Sequence, residues 1–226
     1  MDRTNTPRPI PLVLVGLVAL LSALAALAVS GGGDAGAHGP GHAKADISVE
    51  ELSLRNDMRK LWEDHVTWTR LAIISLTTGS PDTDATVGRL LRNQDDIGDA
   101  VAAFYGRAAG DRLSTLLREH ITIAAQLVVA AKAGDQAEVA KQQALWEENA
   151  DAIARFLSDA NPHWRLNEMR EMLHEHLSLT TSEAVARLQG DWAADVAAYD
   201  QIHVQALEMA DMLSTGIVAQ FPRRFR

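Results

Sequence analysis

The stretch "LLREHITIAAQLVVAAKAGD" at residues 116–135 returns 56 positions later as "MLHEHLSLTTSEAVARLQGD" at 172–191. Apolar residues recur at three-and-four spacing in both copies, the signature of an amphipathic helix. Each copy carries a Glu-His pair about one turn in and stops at Gly-Asp. The Gly suits the left-handed end of one helix, and the Asp caps the start of the next. The repeat extends upstream, because "RNQDDI" (92–97) matches "ENADAI" (148–153) at the same offset. Helices two and three therefore correspond to helices four and five, with helices one and six flanking them.

The rest of the chain from Asp46 onward reads the same way. Breaks fall at "TTGSPDTD" (77–84), "YGRAAGD" (105–111), "AGD" (133–135), "DANPHW" (159–164) and "QGD" (189–191). Nowhere do β-branched residues alternate with period two. Six helices joined by short turns place consecutive helices antiparallel. The fold class is all-α: a six-helix antiparallel up-down bundle with an internally duplicated helical hairpin, preceded by an N-terminal transmembrane or signal helix. Residues 46–222 form the bundle, and 223–226 form a basic tail.

The first 45 residues differ in kind. Arg3 and Arg8 precede an uncharged run from Ile10 to Val29, "IPLVLVGLVALLSALAALAV". Twenty residues at 1.5 Å span about 30 Å, a bilayer core. A small-residue cleavage site, Ala35-Gly36-Ala37, follows. Residues 1–30 thus read as a signal anchor or a signal peptide, and 31–45, "GGGDAGAHGPGHAKA", as a flexible Gly/His-containing linker. The positive-inside rule puts the bundle outside the cytoplasm in either case. It is then single-pass at the cell membrane if anchored, and secreted or periplasmic if cleaved.

Charge and composition exclude several functions. The net charge is −9, and the first 44 residues carry +1, so the remainder holds about −10. Nucleic-acid binding needs a basic patch to displace counterions, and this acidic body does not supply one. With no cysteine, thiolate catalysis and thiolate metal sites are absent. A ferritin-like di-iron centre needs two Glu-x-x-His motifs. Only Glu171–His174 fits, its counterpart at 118 is Arg, and His174 lies off the apolar line.

Following the apolar line down each helix finds one polar interruption per helix: His65, Asn93, His120, Asn149, His176 and His203. Their separations are 28, 27, 29, 27 and 27. Mid-helix residues of an up-down bundle share a level, so the six are expected to form one polar layer. An unpaired buried polar group costs about 1–3 kcal/mol, so the layer must satisfy itself or bind something. Burial and mutual repulsion are expected to keep the imidazoles neutral at pH 7.

Two readings compete. In one, the layer is a buried hydrogen-bond network that fixes helix register. In the other, it binds a transition metal (Zn, Cu, Ni or Fe) or a small ligand, with His65, His120, His176 and His203 as metal ligands. Asn93 and Asn149 would then orient imidazole N–H groups. Glu119 and Glu175 each precede a layer histidine and point toward a neighbouring helix, either to hydrogen-bond a histidine there or to make a boundary salt bridge. Asp95 and Asp151 read as interface ion-pair partners. Trp62 and Trp146, each in a Leu-Trp-Glu context, read as anchors at equivalent interfaces.

The set "LWEDHVTWTR", "RNQDDIG", "LLREH", "LWEENAD" and "AYDQIHVQALEMADML" resembles a family of small bacterial helical-bundle proteins of unsettled function, over roughly residues 50–222. Some of its members carry the label glycosyltransferase or acetylglutamate kinase. Either activity requires a nucleotide site on an α/β fold, and no such motif is present in this chain. The resemblance implies a recurring polar pattern and brings no catalytic residues. The function expected is a non-enzymatic binding or sensing module, membrane-tethered and extracytoplasmic. The alternatives are a structural or protein-interaction bundle and, second, a metal-dependent enzyme.

Overall fold

The computed structural model describes residues 47–226, and the compact unit within them is Ser48–Arg226. The expected anchor and linker lie outside the described residues. Six helices follow in order: α1 Val49–Thr78, α2 Thr83–Tyr105, α3 Arg107–Ala133, α4 Gln136–Ala160, α5 Leu166–Gln189 and α6 Trp192–Gln220. A short 3₁₀ turn, Pro222–Arg224, closes the chain, and there is no strand among the described residues. None of these helices is long and apolar enough to cross a membrane.

The helix ends follow local chemistry. Gly79, Gly134 and Gly190 terminate α1, α3 and α5 at φ of 70°, 74° and 75°, a conformation that costs a residue with Cβ about 1–2 kcal/mol. The Asp after two of these glycines caps the next helix. Asp135 accepts from the Glu138 N–H at 3.1 Å, and Asp191 accepts from the Ala194 N–H at 3.0 Å. One expected break is tighter than its motif: the chain turns at Gly106 alone, and Gly110 lies inside α3.

Each helix packs on its sequence neighbours, and α6 packs back on α1, so the six form a closed ring. α1 also touches α3 and α5 across the middle. The α1–α6 pairing is antiparallel: Arg55–Thr215, Arg59–Asp211, Thr67–Tyr199 and Arg70–Asp195 ascend one helix while descending the other.

Between α2 and α3 the backbones nearly touch. A Cβ on Gly110 would lie 2.5 Å from the Gly98 carbonyl oxygen and 2.6 Å from the Ala102 Cβ. Neither neighbour is the end of a flexible side chain, so the helices must separate to admit it. Gly110→Ala is therefore expected to destabilise by about 1–3 kcal/mol, as overpacking does, despite the better helix propensity of Ala. Thermal melts would check this; an unchanged midpoint would show that the α2–α3 crossing is not fixed by close approach.

The core is divided by composition. Toward the end where residues 106 and 161–165 turn, it is apolar, with Met58, Trp62, Ile97, Leu117, Trp164 and Met209 around a closed cavity of about 20 Å³. That is room for about one water. Toward the opposite end, Ser75, Thr86, Gln142, Thr180, Glu183 and Asp195 are buried.

Candidate functional site

Five of the six expected layer positions are buried: His65, Asn93, His120, Asn149 and His176 are each 7% exposed or less. The sixth is a correction. His203 lies at the rim with its side chain 37% exposed, 3.4 Å from Glu63. The α6 position that enters the layer is Gln205, at 6% exposure. α6 is apolar nearly all round, so its periodicity does not define which face turns inward. Its buried line runs Asp195, Ala198, Ile202, Gln205, Met209, Leu213, Ile217 rather than through Val196, Tyr199 and His203.

With Gln205 in place, the repeat is threefold. In α3–α4, His120 Nδ1 lies 2.9 Å from Asn149 Oδ1, and Asn149 Nδ2 donates to the Leu116 carbonyl at 3.1 Å. In α5–α6, His176 Nδ1 lies 3.1 Å from Gln205 Oε1, and Gln205 Nε2 donates to the Met172 carbonyl at 2.9 Å. Both amides stand 29 residues after the histidine, and both carbonyls four residues before it. An oxygen accepts only, so these two imidazoles carry their proton on Nδ1.

The first hairpin divides the same task between two residues. Asn93 Nδ2 donates to the Leu61 carbonyl at 3.0 Å, again four residues before the histidine. Gln94, 29 residues after His65, faces that ring with its Nε2 at 3.2 Å from Nδ1. An amide nitrogen is a donor, so His65 Nδ1 accepts and its proton sits on Nε2. The Leu90 carbonyl and Asn93 Oδ1 also lie within hydrogen-bond distance of Gln94 Nε2, so three acceptors share its two hydrogens. The repeating unit is thus a hairpin present three times, α1–α2, α3–α4 and α5–α6, rather than a duplicated pair with two flanking helices.

The three histidines meet at the centre. The His176 ring lies 5.7 Å from His65 and 6.4 Å from His120, centroid to centroid. Burial pushes all three pKa values down, which keeps the rings neutral at pH 7. His65 is held well below the ordinary value by burial and then by His176 and His120. His120 falls to about 3, through burial and His176. Burial alone lowers His176, against the opposing Gln205 hydrogen bond.

His120 has both nitrogens engaged, since Trp146 Nε1–H donates to Nε2 at 3.1 Å. Among the described residues, no group of three or more His, Cys, Asp or Glu side chains is disposed to hold a metal ion. Trp62 does not mirror Trp146. It stands edge-on to His65 at 5.4 Å, and its Nε1 has no partner. In the repeat, Trp62 aligns with Leu117 and Leu173, not with Trp146.

Glu119 and Glu175 are exposed and make no hydrogen bond to a histidine. On an α-helix the residue before a buried position turns about 100° away, and here that direction is solvent. Asp95 and Asp151 do make the expected interface ion pairs, Asp95 with Arg118 at 2.9 Å and Asp151 with Arg170 at 2.5 Å. His174 joins Asp151 at 2.9 Å from outside the core.

Two features lay outside the expected pattern. The first is an open groove of about 590 Å³ between α3 and α4, with Glu119, Glu148 and Arg112 on its walls and Asn149 in its lining. It brings together Glu119 and Asn149, whereas Asn93 and Glu175 do not line it. The second is a buried ionic cluster joining α1, α5 and α6. Arg70 Nη1 lies 2.6 Å from Glu183 and 2.9 Å from Asp195, and Arg187 reaches Asp195 at 3.0 Å. Both carboxylates are 1% exposed, and burial raises the Glu183 pKa to about 7 against the pull of Arg70. Glu183 does fall on the line through His176 and Thr180 at helical spacing, which is the one sequence signal that it points inward.

No family model matches the chain, and no curated protein or solved structure matches it either.

Proposed function

We propose that this chain is a membrane-tethered, extracytoplasmic and non-enzymatic interaction bundle, in which the His/amide layer fixes helix register. One observation carries the reading: an imidazole, an amide and a carbonyl are linked in each of the three hairpins. A helix that slid by one turn would strand these groups, so the layer specifies a single packing, as a buried Asn does in coiled coils. The arrangement offers no nucleophile–base pair.

A mutant cycle tests it. Asn149→Leu leaves the buried His120 Nδ1–H without its acceptor and is expected to cost about 1–3 kcal/mol. His120→Leu combined with Asn149→Leu and Trp146→Phe removes all three side-chain partners and is expected to recover part of that loss, measured by urea unfolding. The tag-free protein loaded with Zn, Cu, Ni or Fe is expected to retain no stoichiometric metal. Stoichiometric metal that is lost in His120→Ala would overturn the network reading in favour of a metal site.

A second reading, a small-ligand binding module, draws on the α3–α4 groove. Its volume lies in the range of small-molecule sites, and its lining includes Asn149 of the layer. Ligand binding that Asn149→Leu abolishes while the fold persists would favour it.

A further inference from the structure

The two ends of the bundle differ in charge. The first end gathers the start of α1, the α2–α3 turn, the α4–α5 connection and the C-terminal tail. Its last two turns (48–56, 98–113, 154–173 and 213–226) hold nine arginines against seven carboxylates. The corresponding turns at the opposite end (71–90, 126–143 and 182–199) hold four basic residues against seven acidic ones. An acidic body is therefore polarised along its axis, with the basic pole where the described chain begins.

That pole is built rather than frayed. Phe225 stacks on Phe104 with centroids 6.0 Å apart, and Phe221 meets Tyr105 edge-on at 5.4 Å. The Arg224 guanidinium lies 4.4 Å from the Phe104 centroid and donates to the Ala103 carbonyl at 2.8 Å. The aromatic platform pins the tail across the end of the bundle, so Arg223, Arg224 and Arg226 are presented from a fixed surface. Beside them the same end exposes Val49 (79%), Leu52 (51%) and Leu166 (37%). Apolar side chains among arginines, with no covering segment among the described residues, match the interfacial zone of a bilayer, which takes apolar groups below and cations at the headgroups.

We propose that this pole is a membrane-docking face that rests on anionic headgroups, with Arg223, Arg224 and Arg226 on the phosphates and Val49, Leu52 and Leu166 among the upper acyl chains. The occupant follows from where the chain enters. Eighteen residues separate the apolar run, which ends at Val29, from Ser48 at this pole. At full extension they reach about 60–65 Å, so a membrane-inserted run holds this pole within that distance of a bilayer. The proposal rests on the tethered reading of residues 10–29.

The chain has no cysteine, which makes single-site labelling clean. The full chain carrying Leu52→Cys or Asp135→Cys, one at each pole, would be labelled with a polarity-sensitive fluorophore. It would then be reconstituted in phosphatidylcholine vesicles with or without phosphatidylglycerol. Headgroup-nitroxide lipids are expected to quench the Leu52→Cys label several-fold more than the Asp135→Cys label. The difference should shrink when phosphatidylglycerol is omitted, at high salt, or in Arg223→Ser/Arg224→Ser/Arg226→Ser. Alkaline carbonate extraction of the same vesicles separates the two ideas. Equal quenching at both poles in a chain that resists extraction would overturn the docking face alone. Release of the chain by carbonate would overturn the tether, and the docking face with it. Concentration-dependent shielding of the Leu52→Cys label without vesicles would assign the pole to a second copy and likewise overturn the proposal.

Discussion

Arg70→Leu is expected to lower the free energy of unfolding by about 3–5 kcal/mol, the range for breaking a buried ion pair from one side. The guanidinium lies between two carboxylates that are each 1% exposed. Asp195 keeps Arg187 at 3.0 Å when Arg70 is gone. Glu183 keeps no such contact. With its pKa already pushed up to about 7 by burial, it responds by taking a proton. The loss therefore concentrates on Glu183, and Arg70→Leu combined with Glu183→Leu is expected to be more stable than Arg70→Leu alone. Urea unfolding with the slope held constant would measure both. A single-variant loss below about 1 kcal/mol would show that the cluster is solvated in solution, as surface pairs are.

The second large effect is acid destabilisation, and its sign follows from the layer. His120 titrates near 6.5 when unfolded and at about 3 when folded. Above pH 6.5 both states are neutral, so the histidine's contribution to stability is complete. As pH falls below 6.5, the unfolded chain binds a proton that the folded chain refuses. Stability then drops by about 1.4 kcal/mol per pH unit for each such imidazole. His65 and His176 shift in the same direction. Glu183 opposes them. Raised from 4.5 to about 7, it brings stability that is full below pH 4.5 and is lost as pH rises through 7.

Three protons taken up by the unfolded chain against one by the folded chain leave at most two. The slope between pH 4.5 and 6.5 is thus expected to reach about 2.7 kcal/mol per unit. Asp82, Asp151 and Asp211, all lowered by hydrogen bonds or arginines, add their losses only below that window. Urea midpoints taken across pH 4.5–7.5 would test this, and removing His120 and Asn149 together should reduce the slope by about one proton. A flat midpoint would mean that the three rings are hydrated.

The sequence carried the helices well because their stop signals are chemical. A glycine followed by an aspartate closes one helix and caps the next at 134–135 and at 190–191, although the same pair lies inside helices at 98–99 and 110–111. It carried the depth of His65, His120 and His176 because mid-helix residues of a bundle share a level. It failed at α6, where Val196 and Val204 are exposed while Asp195 and Gln205 are buried, so polarity does not mark the outside; His203 and Gln205 were then equally placed. The repeat itself held the answer, since "ENADAI" (148–153) continues at the same offset into "VQALEM" (204–209), which sets Gln205 opposite Asn149. Glu183 and Asp195 were hard to read for a different reason. Carboxylates are ordinarily solvent-facing, and only the arrival of Arg70 from a helix more than 100 residues away makes their burial tolerable.

The closed ring has a topological consequence. All three turns inside the hairpins lie at one pole, and both links between hairpins lie at the other, together with the first and last described residues. The contact of α6 with α1 is therefore the third member of a set of hairpin-to-hairpin contacts, and the one made without a short covalent link. By packing alone, the order in which the hairpins follow one another is cyclic, and a chain opened at Gly106 or within 161–165 and joined at its present ends would describe the same solid. Where the backbone is interrupted is then a matter of connectivity and not of architecture.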